Sequence, residues 1–496
     1  MTESAIIRIT PEDSVATVLR DVAAGELLTI GEAKLVAAEA VPAGHKIALA
    51  PIRAGEPVIK FGYPIGTASA AIAAGDHVHS HNLATALTGA RDYRFVPDTR
   101  QPAKPEQPAR GFEGYVRADG RVATRNEIWI LPTVGCVART AEKIAAIAHA
   151  RHRGAVDGIY AFTHPFGCSQ LGDDLENTRS TLAGLASNPN AAGVLIVGLG
   201  CESNQTAALL DAIAPEIRRN VRVLGAQEAG DEVAEGVALV DALVATASLA
   251  QRTTVALDKL VIGVKCGGSD GYSGLTANPL VGRISDAVTD AGGGAILTEI
   301  PEIFGAEELL MRRAADKHVF GATVALVNGF KQYFLAHGEP VSENPSPGNI
   351  AGGITTLEEK SLGAVQKAGH ARVTDVRLYG ERIRRSGLTL LEAPGNDAVS
   401  STALAAAGAT MILFTTGRGT PLGFPVPTIK IASNSELARR KPGWIDFDAG
   451  IVLTRGFDVA TEALLDVMLA AASGAPTAAE RNDEREIALW KRGVTL

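Results

Sequence analysis

The sequence predicts a multidomain α/β protein, in which a small all-β module precedes two α/β domains. The chain has 496 residues, more than a single hydrophobic core usually supports. Short apolar segments separated by glycines come first. Longer apolar runs that alternate with helical patterns follow, and this alternation is typical of parallel sheets.

The first module is expected over residues 1–96. Its apolar segments are short, as at Ala5 to Ile9, Lys46 to Ala50 and Pro57 to Phe61. Residues 97–110 read PDTRQPAKPEQPAR and contain four prolines. This composition is typical of a stiff, exposed linker, so we expect a domain boundary there.

Two α/β domains are expected after the linker, over residues 111–255 and 256–496. Apolar, strand-like runs alternate with helical patterns in both. The expected strands cover residues 127–131, 158–163, 193–198 and 221–224 in the first domain, and 259–264, 295–298, 372–378, 410–416 and 428–431 in the second. The charged stretch at 251–258 separates the two domains.

Composition and charge restrict the possible functions. The formal net charge is −8, and no basic stripe with interleaved aromatics is present, so we expect no nucleic-acid partner. The N-terminal segment lacks the pattern of a secretory signal. The uncharged stretch at 398–417 reads as helix, turn and strand, so we expect no membrane partner. A cytoplasmic enzyme acting on a small molecule, possible as a homo-oligomer, fits these features.

Four cysteines in so long a chain do not suggest a disulfide framework. Cys168, Cys201 and Cys266 each follow an expected strand, in the segments THPFGC, GLGCE and KCGGSD. Ligands gather at the carboxyl ends of parallel strands, so the three thiols can converge on one site. Thiolates suit iron or an iron-sulfur cluster. Burial as small apolar side chains is the alternative.

Histidines alternate in the segment DHVHSHN of the N-terminal module. On a strand, His77, His79 and His81 would share one face. Imidazoles on one face can bind zinc or iron. An exposed polar face of an edge strand is the alternative.

Two loops rich in glycine and proline are candidate anion sites. They are NPSPGN at 344–349 and TTGRGTP at 415–421. Backbone N–H groups and an arginine in such loops can hold a carboxylate, although ordinary turns have similar compositions. Neither loop is a P-loop or a dinucleotide-binding fingerprint.

Taken together, these segments resemble the altronate dehydratase and galactarate dehydratase family across nearly the whole chain. The resemblance rests on GHKIALA (44–50), HVHSHN (77–82), RNEIWILPTVGCV (125–137), FGCSQLGDD (166–174), GLGCESNQ (198–205), CGGSDGYSGLTANP (266–279), NPSPGN (344–349), APGNDAV (393–399) and TTGRGTP (415–421). FGCSQLGDD and HVHSHN are similar to the altronate branch. Fusion of the N-terminal module argues mildly against a relative that eliminates sulfite from sulfolactate, which splits this module onto another subunit.

The resemblance implies an N-terminal SAF (β-clip) domain followed by two Rossmann-like α/β domains. It also implies a hydro-lyase of carbohydrate catabolism that converts D-altronate into 2-dehydro-3-deoxy-D-gluconate. Divalent iron is the implied cofactor, with manganese sometimes accepted. Galactarate is the alternative substrate, and a non-catalytic sugar-acid sensor is the second class of function.

The dehydration requires loss of the proton next to the carboxylate and departure of the C3 hydroxyl, which a metal and a general acid can assist. We hypothesise that His79 and His81 hold iron together with Cys168, Cys201 and Cys266. An iron-sulfur cluster on the three cysteines is the competing version. The expected substrate-binding residues are Arg125, Ser269, Asp270, Asn349 and Arg418. The candidate bases are His164, then Lys360 and Lys430, because burial can lower the pKa of a lysine.

Overall fold

The computed structural model describes residues 5–31, 33–98 and 110–496. Within them the chain forms an N-terminal β module, a second part built on a four-stranded sheet and a third part built on a seven-stranded sheet. All strand pairs in the two larger sheets are parallel in these ranges. A β module followed by α/β structure with parallel sheets is therefore confirmed.

The N-terminal module consists of short antiparallel strands. They are β1 (Ile6–Ile7), β2 (Val15–Val18), β3 (Leu27–Ile30), β4 (Ala33–Val36), β5 (Lys46–Ala48), β6 (Pro57–Lys60), β7 (Tyr63–Ala68), β8 (His77–Val78) and β9 (Leu83–Ala84). The sheet orders are β1-β2-β5-β8, β3-β4 and β6-β7-β9. Gly75 has φ +90°, and a Cβ there would lie 2.1 Å from the Val36 carbonyl oxygen. Glycine is therefore required at this crossing of the chain.

A buried ion-pair network joins the module to the third part. The ammonium groups of Lys46 and Lys60 each lie 2.8 Å from a carboxylate oxygen of Glu359, and the three side chains are at most 3% exposed. Burial raises the pKa of Glu359, but the two ammonium groups outweigh it and hold that pKa at about 2. Because these three side chains are buried, solvent does not screen the attraction between their charges, and this attraction holds the module against the third part.

The segment that follows the module, residues 85–98, lies along the third part. The Ala86 N–H donates to Glu358 at 2.7 Å. The Tyr93 hydroxyl donates to Glu307 at 2.5 Å, and Lys331 donates to the same carboxylate at 2.8 Å. Most of the expected linker at 97–110 lies outside the described residues, because these end at 98 and resume at 110.

The second part has the alternating order that the sequence predicts. Its elements are β10 (Gly111–Val116), β11 (Val122–Ala123), β12 (Glu127–Pro132), α1 (Ala138–Arg151), β13 (Gly158–Ala161), α2 (Gly172–Ala186), β14 (Ala191–Gly198), α3 (Thr206–Asp211), α4 (Pro215–Arg218), β15 (Val221–Gly225), α5 (Glu232–Ala247) and β16 (Thr253–Ala256). The parallel sheet has the order β13-β12-β14-β15. β10, β11 and β16 form a separate antiparallel sheet.

The third part is larger. Its elements are β17 (Val261–Cys266), α6 (Ala277–Asp290), β18 (Gly294–Leu297), α7 (Glu307–Met311), α8 (Lys317–Ala336), α9 (Pro347–Ala351), α10 (Leu357–Ala364), β19 (Val373–Arg377), β20 (Gly387–Leu391), α11 (Asp397–Ala407), β21 (Met411–Thr416), β22 (Thr428–Ala432), α12 (Ser435–Arg440), β23 (Phe447–Asp448), α13 (Val452–Arg455), α14 (Phe457–Ala472) and α15 (Ala478–Arg481). The strand order is β19-β20-β18-β17-β21-β22-β23. β18 and β21 flank β17, so their following loops meet at one edge.

Two expectations about local structure need correction. The alternating histidines do not share one strand, because β8 ends at Val78 and a turn follows, in which the Asn82 N–H donates to the His79 carbonyl at 3.0 Å. β20 was not expected, since its five residues, GLTLL, directly follow the charged segment ERIRRS.

The stretch at 398–417 lies within α11, the turn at Gly408 and β21, as the sequence indicates. Gly408 has φ +113° and ends the helix in the left-handed conformation that favours glycine. No helix in the described ranges is both long enough and apolar enough to span a bilayer.

Candidate active site

A cavity of about 1030 Å³ lies beyond the carboxyl end of β17. Polar and glycine-rich loops form one side of it, at residues 266–268, 343–350 and 394–398, and aromatic side chains of α8 with Trp490 form another. Concave sites of this size hold small organic ligands. Three of the loops singled out in the sequence therefore meet at one place.

A buried thiol and an ion pair lie in the cavity wall. Lys360 donates to the Glu302 carboxylate at 2.8 Å, and the Cys266 thiol donates to the same carboxylate at 3.5 Å. Lys367 donates to Cys266 Sγ at 2.9 Å. Cys266, Glu302 and Lys360 all line the cavity, so their polar atoms are available to a bound molecule.

Glu299 connects this wall to a second set of charges. Its carboxylate lies 3.0 Å from the Lys265 ammonium and 3.9 Å from that of Lys367. It also accepts the Cys266 N–H at 3.2 Å. Lys265 in turn donates to Asp397 at 2.7 Å. Glu299 has φ +65°, a conformation that costs energy for a residue other than glycine, and these contacts hold it there.

The network is balanced in charge. Three lysines (Lys265, Lys360 and Lys367) contact three carboxylates (Glu299, Glu302 and Asp397). Burial lowers the pKa of Lys360, but the Glu302 carboxylate outweighs it and the net direction is upward. Burial likewise raises the pKa of Glu299, while Lys265 and Lys367 hold it below its usual range. Lys360 and Glu299 are therefore stabilised in their charged forms.

Burial has the opposite effect on the thiol. It raises the pKa of Cys266, and the carboxylates of Glu302 and Glu299 add to that rise, although Lys367 opposes it. A buried thiol beside two carboxylates is stabilised as the neutral S–H group. Cys266 therefore acts as a hydrogen-bond donor to Glu302 in this arrangement.

Asn349 and Ser269 were both expected to bind the substrate. They lie next to the charged wall, which is the part of the cavity wall formed by the network of three lysines and three carboxylates. The Asn349 amide donates to the Ser269 carbonyl at 2.8 Å, and its oxygen accepts from Lys360 at 3.2 Å. Asn349 lines the large cavity, whereas Ser269 lines a narrow crevice beside it. Asn349 therefore faces the place where a ligand would bind, and Ser269 supports it.

Asp270 is buried among hydrogen-bond donors. Its carboxylate accepts from the Ser433 hydroxyl at 2.8 Å and from the Asn434 amide at 2.9 Å. These bonds connect the loop after β17 to the loop after β22. They do not place Asp270 in the cavity lining, so its assignment to the substrate stays a prediction.

Arg418 does not line the cavity, but it lies next to residues that do. The backbone N–H of Arg418 donates to the carbonyl of Gly268, a residue of the cavity wall, at 3.0 Å. A Cβ built on Gly348 would lie 3.9 Å from Arg418 Cδ and Nε. The side chain is exposed, and its guanidinium has no partner in the part of the chain that the structure describes. A free guanidinium in this position can bind a carboxylate.

Arg125 lies elsewhere, in the packing between the second and third parts. Its guanidinium donates to Glu480 at 2.8 and 2.9 Å. It also donates to the carbonyls of Thr124, Ala471 and Ala475 at 2.8 to 3.0 Å. All five N–H groups of an arginine are thereby used. Its assignment to the substrate stays a prediction that these contacts do not favour.

His164 and Lys430 are also engaged with the backbone. His164 donates through Nε2 to the Pro132 carbonyl at 2.9 Å and accepts the Phe166 N–H at Nδ1 at 3.2 Å. Lys430 donates to the carbonyls of Thr420 and Leu422. Burial lowers the pKa of His164 to about 4 and that of Lys430 to about 8. Neither lines the cavity, so Lys360 is the one candidate base placed in its wall.

Four histidines of the N-terminal module form a cluster against α9. The rings of His45, His77, His79 and His81 have centroids 5.0 to 5.7 Å apart where they are neighbours. Nε2 of His79 lies 3.1 Å from the Ile350 carbonyl, and Nε2 of His45 lies 3.4 Å from the Ala351 carbonyl. Because a carbonyl only accepts, both Nε2 atoms carry hydrogen and both Nδ1 atoms keep a lone pair.

Burial lowers the pKa of His45, His77 and His79. The pKa of His77 falls to about 3, because the neighbouring His45 adds to the effect of burial. Neutral imidazoles whose other N–H binds a carbonyl are the form in which histidine binds metals. Nitrogen donors of this kind suit iron(II) or manganese(II), although no three of them lie within 4.8 Å of one another in the described ranges. The sequence indicated His79 and His81 but not His45, which is distant from them along the chain.

Cys266, Glu299 and Glu302 form the one group of three potential metal ligands in the described ranges whose ligand atoms all lie within 4.8 Å of one another. However, Lys265, Lys360 and Lys367 already contact these atoms and balance their charge. A divalent cation would have to displace an ammonium group. This group therefore does not suit a divalent ion as it stands.

The remaining cysteines belong to the other sheet. Cys136, Cys168 and Cys201 are exposed and lie in loops of the second part, whereas Cys266 is buried at the end of β17. Cys168 and Cys201 thus follow one parallel sheet and Cys266 follows another. The sequence predicted that Cys168, Cys201 and Cys266 converge on one site. In the described ranges their three thiols do not lie within 4.8 Å of one another, so they are not placed to bind one ion together.

Sequence reasoning missed most of the charged wall. Glu299 and Glu302 follow the expected strand at 295–298 in the segment TEIPEIF, so the strand-end rule applied to the cysteines would have found them. Asp397 lies in the APGNDAV motif. Lys367 also belongs to this network. The sequence around it does not indicate a role in the site, because a single lysine after a helix is common.

Fold and site together define a class of protein: an α/β enzyme with an acid–base wall beside a cavity of metabolite size. Family models match almost the whole chain, as the altronate/galactarate dehydratase SAF domain (4–86), the second domain of D-galactarate dehydratase/altronate hydrolase (114–248) and the C-terminal region of D-galactarate/altronate dehydratase (257–495). The chain belongs to the altronate/galactarate dehydratase family, and the resemblance read from its motifs is confirmed.

Curated relatives match over their full length. Altronate dehydratase of Escherichia coli K12 is 49% identical, and altronate dehydratase of Bacillus subtilis 168 is 48% identical, each over 99% of both chains. Galactarate dehydratase (L-threo-forming) of E. coli K12 is 33% identical over 90% of this chain and 88% of its own.

Proposed function

We propose that this chain is a hydro-lyase that dehydrates D-altronate to 2-dehydro-3-deoxy-D-gluconate. The observation that carries the proposal is the Glu302–Lys360 pair at 2.8 Å in the cavity wall. Dehydration of a 2,3-dihydroxy acid needs one group to take the C2 proton and another to protonate the departing hydroxide. A carboxylate and an ammonium side by side provide both.

In this mechanism the Glu302 carboxylate takes the proton from C2 of the substrate. The C3–O bond then breaks, and Lys360 donates a proton to the leaving hydroxyl, which departs as water. The resulting enol gains a proton at C3 and becomes the 2-keto acid. Lys360 thus acts as the acid rather than as the base that the sequence suggested, since Glu302 stabilises its protonated form.

The substrate carboxylate is bound by Arg418 and Asn349. The backbone N–H of Arg418 donates to Gly268 of the cavity wall, and its side chain lies beside Gly348. Asn349 lines the cavity next to Lys360. Binding a carboxylate at this end presents C2 and C3 to the wall. A guanidinium offers two parallel N–H donors to a carboxylate, which fixes orientation as well as position.

Iron(II), or manganese(II) in its place, would be held by His45, His77 and His79. Their ring centroids lie 5.0 to 5.2 Å apart, and His45 and His79 each contact a carbonyl through Nε2, which supports this assignment. When bound, the metal supplies Lewis-acid stabilisation of negative charge on oxygen. His81 adjoins His77 and completes the cluster.

We propose altronate rather than galactarate as the substrate because the altronate dehydratases are more similar to this chain in sequence. The altronate dehydratases share 48–49% identity with this chain, whereas the galactarate dehydratase shares 33%. We also infer that the two open parallel sheets are Rossmann-like. The domain limits 1–96, 111–255 and 256–496 are supported by the sheets to which these residues belong.

The test is release of 2-keto-3-deoxy acid by protein prepared without oxygen and loaded with ferrous iron. D-altronate and galactarate are offered in parallel, with a chelator-treated sample as control. Chelator-sensitive turnover of altronate supports the reaction, the substrate and the metal. Preference for galactarate would show that the assignment of altronate as substrate is wrong. Undiminished turnover in the chelator-treated sample would overturn the proposed role of the metal. Binding of a sugar acid without turnover would favour the non-catalytic sensor.

A further inference from the structure

Three cysteines that the proposed reaction does not use lie at the edge of the four-stranded sheet. Cys136 follows β12, Cys168 follows β13 and Cys201 follows β14. These strands are neighbours, in the order β13-β12-β14, and they are parallel. Neighbouring strands lie about 4.8 Å apart, so the loops after them lie side by side.

Hydrogen bonds hold these three loops together close to the cysteines. The Gly135 N–H donates to the Phe166 carbonyl at 2.9 Å, and the Asn204 N–H donates to the Gly167 carbonyl at 2.9 Å. The Asn204 side chain donates to the Thr133 carbonyl at 3.1 Å. Gly167 has φ +99°, and a Cβ there would lie 2.1 Å from the Thr133 oxygen. The loops are therefore in direct contact within one or two residues of Cys136 and Cys168.

All three thiols are exposed, in contrast to Cys266. Free cysteine is among the residues most often buried, so three exposed thiols on one edge are unusual. A single tetrahedral ion would need its sulfurs about 3.8 Å apart, given a metal–sulfur bond of about 2.3 Å. The three thiols do not meet that spacing, because the described residues contain no all-cysteine group within 4.8 Å. In a four-iron cluster each cysteine binds a different iron, so the sulfurs of its ligands are farther apart than those on a single ion.

One buried amide donor in the same loops lacks a partner. Gln170 Nε2 makes no hydrogen bond within the described ranges, although the residue is only 4% exposed. An unpaired N–H donor of this kind can stabilise the sulfur atoms of a cluster. α1 and α2, which begin at Ala138 and Gly172, also direct their N-terminal ends to this edge, and helix N-termini stabilise thiolates.

We propose that Cys136, Cys168 and Cys201 bind an iron-sulfur cluster at this edge. Three cysteines leave one iron of a four-iron cluster without a protein thiolate, so that iron is open to an oxygen ligand from solvent or from a hydroxy acid. Each thiol loses one proton when it binds iron. The iron and sulfide are supplied from outside the chain. The site is independent of the proposed altronate chemistry, which uses other side chains.

The experiment is anaerobic reconstitution of the full chain with equal amounts of ferrous and ferric iron and with sulfide, followed by removal of unbound reagents. Iron, acid-labile sulfide and visible charge-transfer absorption are measured. We expect roughly three to four irons and as many sulfides per chain. C136S, C168S and C201S should each lose more than half of the bound sulfide. The thermal midpoint of each variant is measured to show that it is folded.

C266S is the matched control, because it removes the one other cysteine. It should keep the full sulfide content and absorption, whatever its turnover. Iron or zinc bound without sulfide would overturn the proposal. So would equal sulfide in the triple variant C136S/C168S/C201S and the unchanged chain. Turnover of altronate is measured separately, so failure of the cluster and failure of the proposed function are distinguishable.

Discussion

The two larger sheets are both parallel, but different side chains lie at their carboxyl edges. At the seven-stranded sheet, Cys266 is buried with Glu299, Glu302 and three lysines, and the charges balance. At the four-stranded sheet, three cysteines are exposed and have few polar partners.

The difference shows that the position of a residue at a strand end does not determine its chemistry. Buried charges must be paired, because an unpaired charge in a medium of low dielectric costs several kcal/mol. Exposed thiols carry no such requirement and remain free to bind soft metals. One edge is therefore suited to acid–base catalysis and the other to metal binding.

The largest expected effect is on turnover at the buried edge. K360M should lower kcat for altronate by about 100- to 10,000-fold, which is the usual contribution of a general acid or base. K331M is the matched control, because Lys331 is equally buried and ion-paired, with Glu307, but does not line the cavity. It should lose stability and keep its kcat. Similar turnover in both variants would remove Lys360 from the mechanism.

The next effect is on stability. E299Q should lower the free energy of unfolding by about 3–5 kcal/mol, because it leaves buried ammonium groups without their partner. The comparison variant at the other edge, C201S, should change it by no more than about 0.5 kcal/mol. Urea unfolding measures both, and equal losses would contradict the contrast between the edges.

The pH dependence of that stability follows from the same residue. Lysines hold the pKa of Glu299 below its usual range, so its contribution is present above the pKa of the unfolded chain. It is lost as pH falls through the lower pKa of the folded state. E299Q should therefore show a weaker loss of stability on acidification than the unchanged chain. An identical slope in the two would show that Glu299 is not the group responsible.

A smaller effect is expected at Arg418, beside the cavity. R418M should raise KM for altronate roughly 10- to 100-fold, since a hydrogen bond to a charged group contributes about 1.5–3 kcal/mol. Its thermal midpoint should not move, because the side chain is exposed. R439M, at another exposed arginine, is the control and should leave KM unchanged. An effect on kcat alone would argue against a role in binding the carboxylate.

The smallest effect concerns accessibility. In the metal-free native chain a thiol reagent should modify three cysteines rapidly and leave Cys266 unmodified. Unfolding should expose the fourth. C266S should show three rapid thiols in both states. Rapid modification of four thiols in the native chain would contradict the burial of Cys266.

Much of this could be predicted from the sequence. The order of strands and helices was readable because parallel strands are continuous apolar runs, as in β14 and β21. Family motifs indicated Asn349 and Arg418 because they lie in unusual loops of glycine and proline. Arg125 also lies in a family motif, and His164 lies two residues before one, but the contacts of both are to protein groups. A motif does not distinguish a residue that holds the fold from one that faces a ligand.

The sequence by itself determined the fold class, the family and the loops from which a site would be built, since all of these depend on local periodicity and composition. Only the tertiary structure decided which residues meet. Lys367 reaches Cys266 across 101 positions, and Lys46 reaches Glu359 across 313. Such contacts depend on how distant elements pack, and no local pattern encodes them. For the same physical reason, packing made one cysteine a buried hydrogen-bond donor and left the other three exposed.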